Sequence, residues 1–319
     1  MKKKVLITYN MFRKGYEELI RKYDVTLPPE GVLSFTFEEV MKVIDQYDAI
    51  LPMYNFPINK TLMDAATRLK VVSNYAVGFD NIDVPYATSK GIAVCNTPEP
   101  TTEPTADIAM ALIYATMRRV ADCDRRLRSK RLEWGLLLNL GYSLEHKKLG
   151  ILGMGRIGQA LARRAVACGM EIIYNNRHRL SPELEAKYNA RYVSIEELFA
   201  QSDVVSVNAP LNPETFHLVN GERIALMKPT AFLVNTARGP LVDEKALIAA
   251  LQAGKIAGAG LDVYEPGEHV CDELLALENT VLLPHLGTQT YDVRNEMAAY
   301  AAQNIINFFE GGRVSRVNG

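Results

Sequence analysis

The chain is short of paired cysteines, of one-sided charge and of long apolar runs, and each shortage removes a class of function. Its four cysteines, Cys95, Cys123, Cys168 and Cys271, never fall at C-x-x-C spacing. Neither a zinc site nor a disulfide framework is therefore expected; no metal is called for, and reduced thiols in the cytoplasm are the default. Lysine and arginine number 36 against 37 aspartates and glutamates, a net charge of −1 with no long basic run, so nucleic acid is not an expected partner. Three lysines follow Met1, but the apolar run behind them stops at Ile7, too short for a signal-peptide core. No internal repeat or low-complexity segment stands out, and neither membrane insertion nor disorder is expected of a chain that is 48% hydrophobic. At roughly 100 to 200 residues per domain, 319 residues suggest two domains.

What is present begins at Lys148. Leu149 to Leu152 is a short apolar run, Gly153, Gly155 and Gly158 follow at G-x-G-x-x-G spacing, and Ile157, Ala160, Leu161 and Ala165 recur at helical spacing. A strand, a glycine turn and a helix in that order let backbone N–H groups and the helix dipole hold a pyrophosphate. Glycines alone also mark ordinary turns; the flanking strand and helix, with another strand at 171–174, supply the context that a dinucleotide site needs.

A second absence lies at the end of that next strand. An acid is expected there to hold the ribose hydroxyls of NAD, yet the chain has Asn176, followed by Arg177, His178 and Arg179. A carboxylate would repel a 2′-phosphate and arginine would bind it. The expected cofactor is NADP, with NAD as the alternative; a solvated basic turn is the plain reading of the two arginines.

Short β-rich runs at 5–8, 49–51, 71–74, 93–95, 149–152, 172–174, 204–208, 231–235 and 281–283 alternate with helical patterns. That alternation predicts an α/β protein with two Rossmann-like, doubly wound parallel-sheet domains and the active site in the cleft between them. Residues 96–104 carry three prolines and are expected to interrupt regular structure, with Pro104 in the first turn of a helix continuing to Val120. A last helix is expected from about Tyr291 to Phe309, returning to the first domain. The expected division is 1–100 plus 287–319 for the substrate domain and 101–286 for the dinucleotide domain.

Chemistry is expected at strand ends. Arg238 follows the run 231–235 and could grip a carboxylate, or pair with Asp243. His285 follows 281–283, and an imidazole with a pKa near 6.5 can give and recover a proton near neutrality. The other histidines, His146, His178, His217 and His269, sit in polar contexts and are expected to be solvated. Residues 258–269 read as a loop from which a carboxylate could orient His285; Asp262 could instead bond the nicotinamide carboxamide, or be structural.

In its order of segments the chain resembles the D-isomer-specific 2-hydroxyacid dehydrogenases, of the glyoxylate/hydroxypyruvate reductase kind. The resemblance spans nearly the whole length: Val77-Gly78-Phe79-Asp80-Asn81-Ile82-Asp83, Gly153-Met154-Gly155-Arg156-Ile157-Gly158, Asn235-Thr236-Ala237-Arg238-Gly239, Leu261-Asp262-Val263-Tyr264 and Pro284-His285-Leu286-Gly287. It implies hydride transfer from NAD(P)H to a 2-keto acid, with Arg238 polarising the substrate, His285 as acid/base, and the N–H groups of Val77 and Gly78 receiving the carboxylate. Arg156, Ile157, Pro210, Thr236, Ala237 and Asp262 join Gly153, Gly155, Gly158, Asn176, Arg177 and Arg179 as expected cofactor-binding residues. The family's glutamate partner for the histidine falls at Gly267 here, and Glu268, ahead of Glu265, is the expected stand-in.

The segment Leu51-Pro52-Met53-Tyr54-Asn55-Phe56-Pro57 lacks the arginine that relatives acting on phosphorylated substrates tend to carry, and Gly319 ends the chain without the regulatory extension of larger phosphoglycerate dehydrogenases. The expected substrate is a small unphosphorylated 2-keto acid, with Tyr54 and Phe56 as pocket walls or simply core. A homodimer is implied, and the segment 125–142, with the only tryptophan at Trp134, is a candidate arm. A cofactor-sensing binding protein of the same fold and a short phosphoglycerate dehydrogenase are the competing readings.

Overall fold

The computed structural model describes every residue except Met1, Phe12, Pro266 and Glu268. The chain divides into two compact units, Met1–Thr101 with Thr288–Gly319, and Thr102–Gly287.

The first unit is built on five parallel strands: β1 (Lys4–Ile7), β2 (Asp24–Thr26), β3 (Ala49–Leu51), β4 (Val71–Ser73) and β5 (Ala93–Cys95). They lie in the order β2-β1-β3-β4-β5. Period-two alternation splits β1, β3, β4 and β5 between two cores. Val5, Ile7, Leu51 and Val71 meet Met297, Ala301 and Ile305 of the last helix, Tyr291–Glu310. Leu6, Ile50, Val72 and Val94 meet Val40, Ile44, Leu62 and Ala87 on the other face. Thr290 caps that last helix through the Val293 N–H, and Gly311, at φ 76°, ends it.

The second unit holds β6 (Lys148–Leu152), β7 (Glu171–Asn175), β8 (Ala190–Tyr192), β9 (Val204–Val207), β10 (Phe232–Asn235), β11 (Gly258–Leu261) and β12 (Thr280–Leu282). All pair in parallel, in the order β12-β11-β10-β9-β6-β7-β8. The chain enters at β6, steps outward to β7 and β8, then returns to β9 on the opposite side. β6 and β9 thus flank the point where strand order reverses, and ligands of open α/β sheets bind in the crevice there.

Two expectations need correction. The helix predicted to begin near Pro104 starts at Pro98 and runs to Met117 with Pro104 inside it. Pro98 and Pro100 occupy its first turn, where no N–H is required, and the Thr101 hydroxyl bonds the carbonyls of Thr97 and Pro98. Residues 258–261, predicted as loop, form β11. Two of its four residues are glycines, which are depleted from strands. Here they serve close packing: a Cβ on Gly260 would press against the Leu112 side chain of the Pro98–Met117 helix at 3.1 Å.

Candidate active site

The glycine turn follows β6 directly. Gly153 has φ +96°, and a Cβ there would lie 2.6 Å from the Ala209 nitrogen at the end of β9, so both backbone angle and close approach exclude a side chain. At Gly158 a Cβ would meet the Gly153 carbonyl at 2.6 Å, which fixes how closely the helix Arg156–Ala167 packs on β6. Gly155 faces open space. It caps that twelve-residue helix without any side-chain bond, so the first N–H groups of the helix point at the opening. Two buried polar atoms at neighbouring strand ends, Asn208 Oδ1 after β9 and Thr236 Oγ1 after β10, have no hydrogen-bond partner among the described residues. Orphaned acceptors and donors beside an open glycine turn fit a bound dinucleotide.

At the end of β7 the Asn176 Oδ1 accepts the Met154 N–H at 2.6 Å, and the Asn175 carbonyl accepts the Gly153 N–H at 2.9 Å. The turn after β7 is therefore tied to the glycine turn. Arg177 and His178 are exposed, and Arg177 makes no hydrogen bond or ion pair with a described residue. Arg179 differs: its Nε and Nη2 donate to the two oxygens of Glu185 at 2.8 Å each.

The segment bearing Arg238 leaves β10 through an Asn235 bracket. Asn235 Oδ1 accepts the Ala237 N–H at 3.0 Å and its Nδ2 donates to the Arg238 carbonyl at 2.9 Å. Gly239 lies against the Tyr264 carbonyl where no Cβ fits. Asp243, the surface partner considered for Arg238, caps the helix Glu244–Gln252 instead, accepting the Ala246 N–H at 3.0 Å.

His285 is half-buried with φ +58°, a left-handed backbone that is uncommon outside glycine and asparagine. Its neighbours hold it there. On one side the Tyr264 hydroxyl donates to the Leu283 carbonyl at 2.8 Å. On the other, Asp262 Oδ1 accepts the Leu286 N–H at 2.6 Å and Oδ2 the Gly287 N–H at 2.9 Å. Asp262 is 1% exposed, and burial pushes its carboxyl up to about 6 against the opposing pull of those two N–H groups. The carboxylate thus acts on the backbone around His285.

Glu268 lies outside the described residues. Glu265, the other acid considered for His285, is engaged elsewhere: its Oε1 lies 2.7 Å from His217 Nε2 and its Oε2 accepts the Glu244 N–H at 3.2 Å. Glu244 returns the bond, accepting the Glu265 N–H at 3.0 Å. His217 is accordingly not a solvated surface residue; it also stacks on Phe216 with centroids 4.0 Å apart.

In the first unit, Val77 and Gly78 form a turn whose carbonyls are held by asparagine amides that sequence reading passed over. Asn96 Nδ2 donates to the Val77 carbonyl and Asn74 Nδ2 to the Gly78 carbonyl, each at 2.8 Å. Asn74 is locked in turn to Asn81, whose Nδ2 reaches the Phe56 carbonyl at 2.9 Å. With the carbonyls so fixed, the N–H groups of Val77 and Gly78 bond no described residue, leaving two adjacent donors for an anion. Tyr54 is half-buried and Phe56 belongs to the core. Among the described residues no cluster of histidine, cysteine or acid could hold a metal ion, and no helix is long and apolar enough to cross a membrane.

One unit carries an open glycine turn of the dinucleotide type and a histidine held at a strand end, the other an anion-receptive turn, and comparison with known proteins names the family. Residues 110–287 match the NAD-binding domain of the D-isomer specific 2-hydroxyacid dehydrogenases. A glyoxylate reductase of Thermococcus onnurineus is 44% identical, over 98% of this chain and 94% of that protein. A solved glyoxylate reductase from Paecilomyes thermophila superposes with a TM-score of 0.90 at 38% identity, covering 99% of this chain and 98% of that one. An NADPH-dependent glyoxylate/hydroxypyruvate reductase from Sinorhizobium meliloti, solved with NADP and malonate, gives 0.86 at 30% identity, covering 99% and 97%. The chain belongs to the D-isomer specific 2-hydroxyacid dehydrogenase family. It is an NAD(P)-dependent dehydrogenase, which sets aside the cofactor-sensing binding protein as its primary role.

Proposed function

We propose that the protein reduces a small unphosphorylated 2-keto acid, glyoxylate or hydroxypyruvate, to the D-2-hydroxy acid, with NADPH preferred over NADH. The bound nicotinamide supplies the hydride. The N–H groups of Val77 and Gly78 receive the substrate carboxylate, Arg238 polarises the keto oxygen, and His285 donates a proton to that oxygen as negative charge develops on it. Glu268 is the partner that keeps His285 protonated, and Tyr54 borders the substrate. Gly153, Gly155, Arg156, Ile157 and Gly158 hold the pyrophosphate; Asn176, Arg177 and Arg179 face the ribose; Pro210, Thr236, Ala237 and Asp262 border the nicotinamide side. The observation that carries the reading is His285 held in a left-handed turn by Asp262 and Tyr264, in the same unit as the open glycine turn. Three of the structure's relatives are named for glyoxylate or its hydroxypyruvate analogue, which supports the substrate choice.

The test is oxidation of NADPH and of NADH, followed by absorbance, with glyoxylate, hydroxypyruvate and phosphohydroxypyruvate. Turnover of the first two with NADPH is the expected result; selective turnover of the phosphorylated acid would move the assignment to a phosphoglycerate dehydrogenase. We also propose a homodimer in the cytoplasm. Trp134, Leu136 and Leu137 are 83%, 95% and 77% exposed, a run of large apolar side chains that a second copy of the chain would cover. The four free cysteines suit a reducing compartment. Sedimentation equilibrium of wild type against Leu137→Lys tests the dimer, with dissociation expected in the variant.

A further inference from the structure

The turn after β7 offers two arginines to a 2′-phosphate, and the structure treats them unequally. Arg177 projects from the surface with no described partner. Arg179 is gripped side-on by Glu185 through two bonds of 2.8 Å, with its guanidinium 6.0 Å from the Tyr192 ring. Glu185 is itself fixed. Its Oε1 also accepts the hydroxyl of fully buried Tyr174 at 2.6 Å, and that hydroxyl accepts the Leu180 N–H at 2.9 Å. Only 13% of the Glu185 side chain is exposed. Three donors pull its carboxyl down to about 2, so the negative charge persists at any working pH.

We infer that Glu185 is a specificity-determining residue: as a fixed counter-charge to Arg179 it leaves phosphate recognition to Arg177 and limits the discrimination between NADPH and NADH. The inference rests on the NADP reading proposed above and adds to it the residue that sets its strength. A bidentate fork already closed on a carboxylate presents no net charge to an approaching dianion. Within the pair the carboxylate's repulsion of that dianion offsets the attraction of Arg179, so the net attraction comes from Arg177.

The test reads binding without turnover. Calorimetric titration with 2′,5′-ADP and with 5′-AMP isolates the 2′-phosphate, and 5′-AMP serves as the control for an intact fold. Glu185→Gln keeps an acceptor for Tyr174 and removes the charge; it is expected to tighten 2′,5′-ADP by about five- to tenfold while 5′-AMP moves little. Arg179→Ala in the Glu185→Gln background is expected to cancel that gain, which a double-substitution cycle reports as coupling. Arg177→Ala in the otherwise native chain is expected to weaken 2′,5′-ADP by about tenfold or more.

Unchanged or weaker 2′,5′-ADP binding in Glu185→Gln, with 5′-AMP binding intact, overturns the inference. If the native chain favours 2′,5′-ADP through Arg177 and Glu185→Gln changes nothing, the NADP reading stands and the inference alone falls. If the native chain shows no such preference but Glu185→Gln acquires one, the NADP reading falls and the counter-charge role is upheld.

Discussion

Asp262→Asn separates two effects that the native carboxylate combines. Burial raises its pKa to about 6, so the folded state binds a proton that the unfolded chain releases. The sign follows: the associated stability is complete at pH below the ordinary aspartate value and is lost as pH rises through about 6. A rise of that size corresponds to about 3 kcal/mol at 1.36 kcal/mol per pH unit. Asparagine does not titrate, so the variant escapes this loss. Its amide, however, can accept only one of the two N–H groups of Leu286 and Gly287, and leaves the other facing a donor at a cost of about 1–3 kcal/mol. Near pH 4 the native chain should be the more stable; by pH 7.5 the difference should shrink to nothing or reverse. In a unit of this size 1 kcal/mol moves the melting temperature by about 2–4 °C, so the gap should change by roughly 5–10 °C between the two pH values. Scanning calorimetry of both proteins at several pH values measures it, other carboxylates cancelling in the difference. Melting temperatures that run parallel from pH 4 to 7.5 would refute the argument that this carboxyl is ionised against its burial. At pH 7.5 the variant should also lose about 10- to 100-fold in kcat, since one of the anchors that hold His285 is gone.

Other outcomes follow from the same contacts. His285→Gln removes the proton donor and should lower kcat by about 10²- to 10⁴-fold, with NADPH binding, read by quenching of nucleotide fluorescence, affected far less. Gly153→Ala forces a side chain onto Ala209 at positive φ; it should weaken NADPH by at least about tenfold, and an unaltered Kd would show that the turn is not the pyrophosphate site. Tyr264→Phe frees the Leu283 carbonyl and should cost about 1 kcal/mol of stability, together with a several-fold drop in kcat if that bond helps hold His285.

Sequence patterning reveals the parts of this protein where one residue type admits one explanation. Three glycines between an apolar run and a helical repeat can hardly be anything but a tight turn, and in the structure Gly153 and Gly158 make separate close contacts while Gly155 faces open space. Fully buried, valine-rich strands such as Val71–Ser73 and Val204–Val207 are equally plain. The residues that escaped notice act through their geometry. Gly-Ala-Gly-Leu at β11 has a poor strand composition because Gly260 answers to Leu112 on a helix nearly 150 residues earlier and Gly258 to the Asn279 carbonyl. Asn74, Asn81 and Asn96 look like ordinary turn residues until Asn96 and Asn74 are seen to hold the Val77 and Gly78 carbonyls, with Asn81 bracing Asn74. His217 and Glu265 are 48 residues apart, and no local pattern predicts their pairing. The turn after β7 shows the limit most clearly. Composition counts Arg177 and Arg179 as two equal positive charges, whereas Glu185, six residues on and across a helix start, removes one of them from the count. A charge carries information about a ligand only after its partners are known, and those partners are set by the fold.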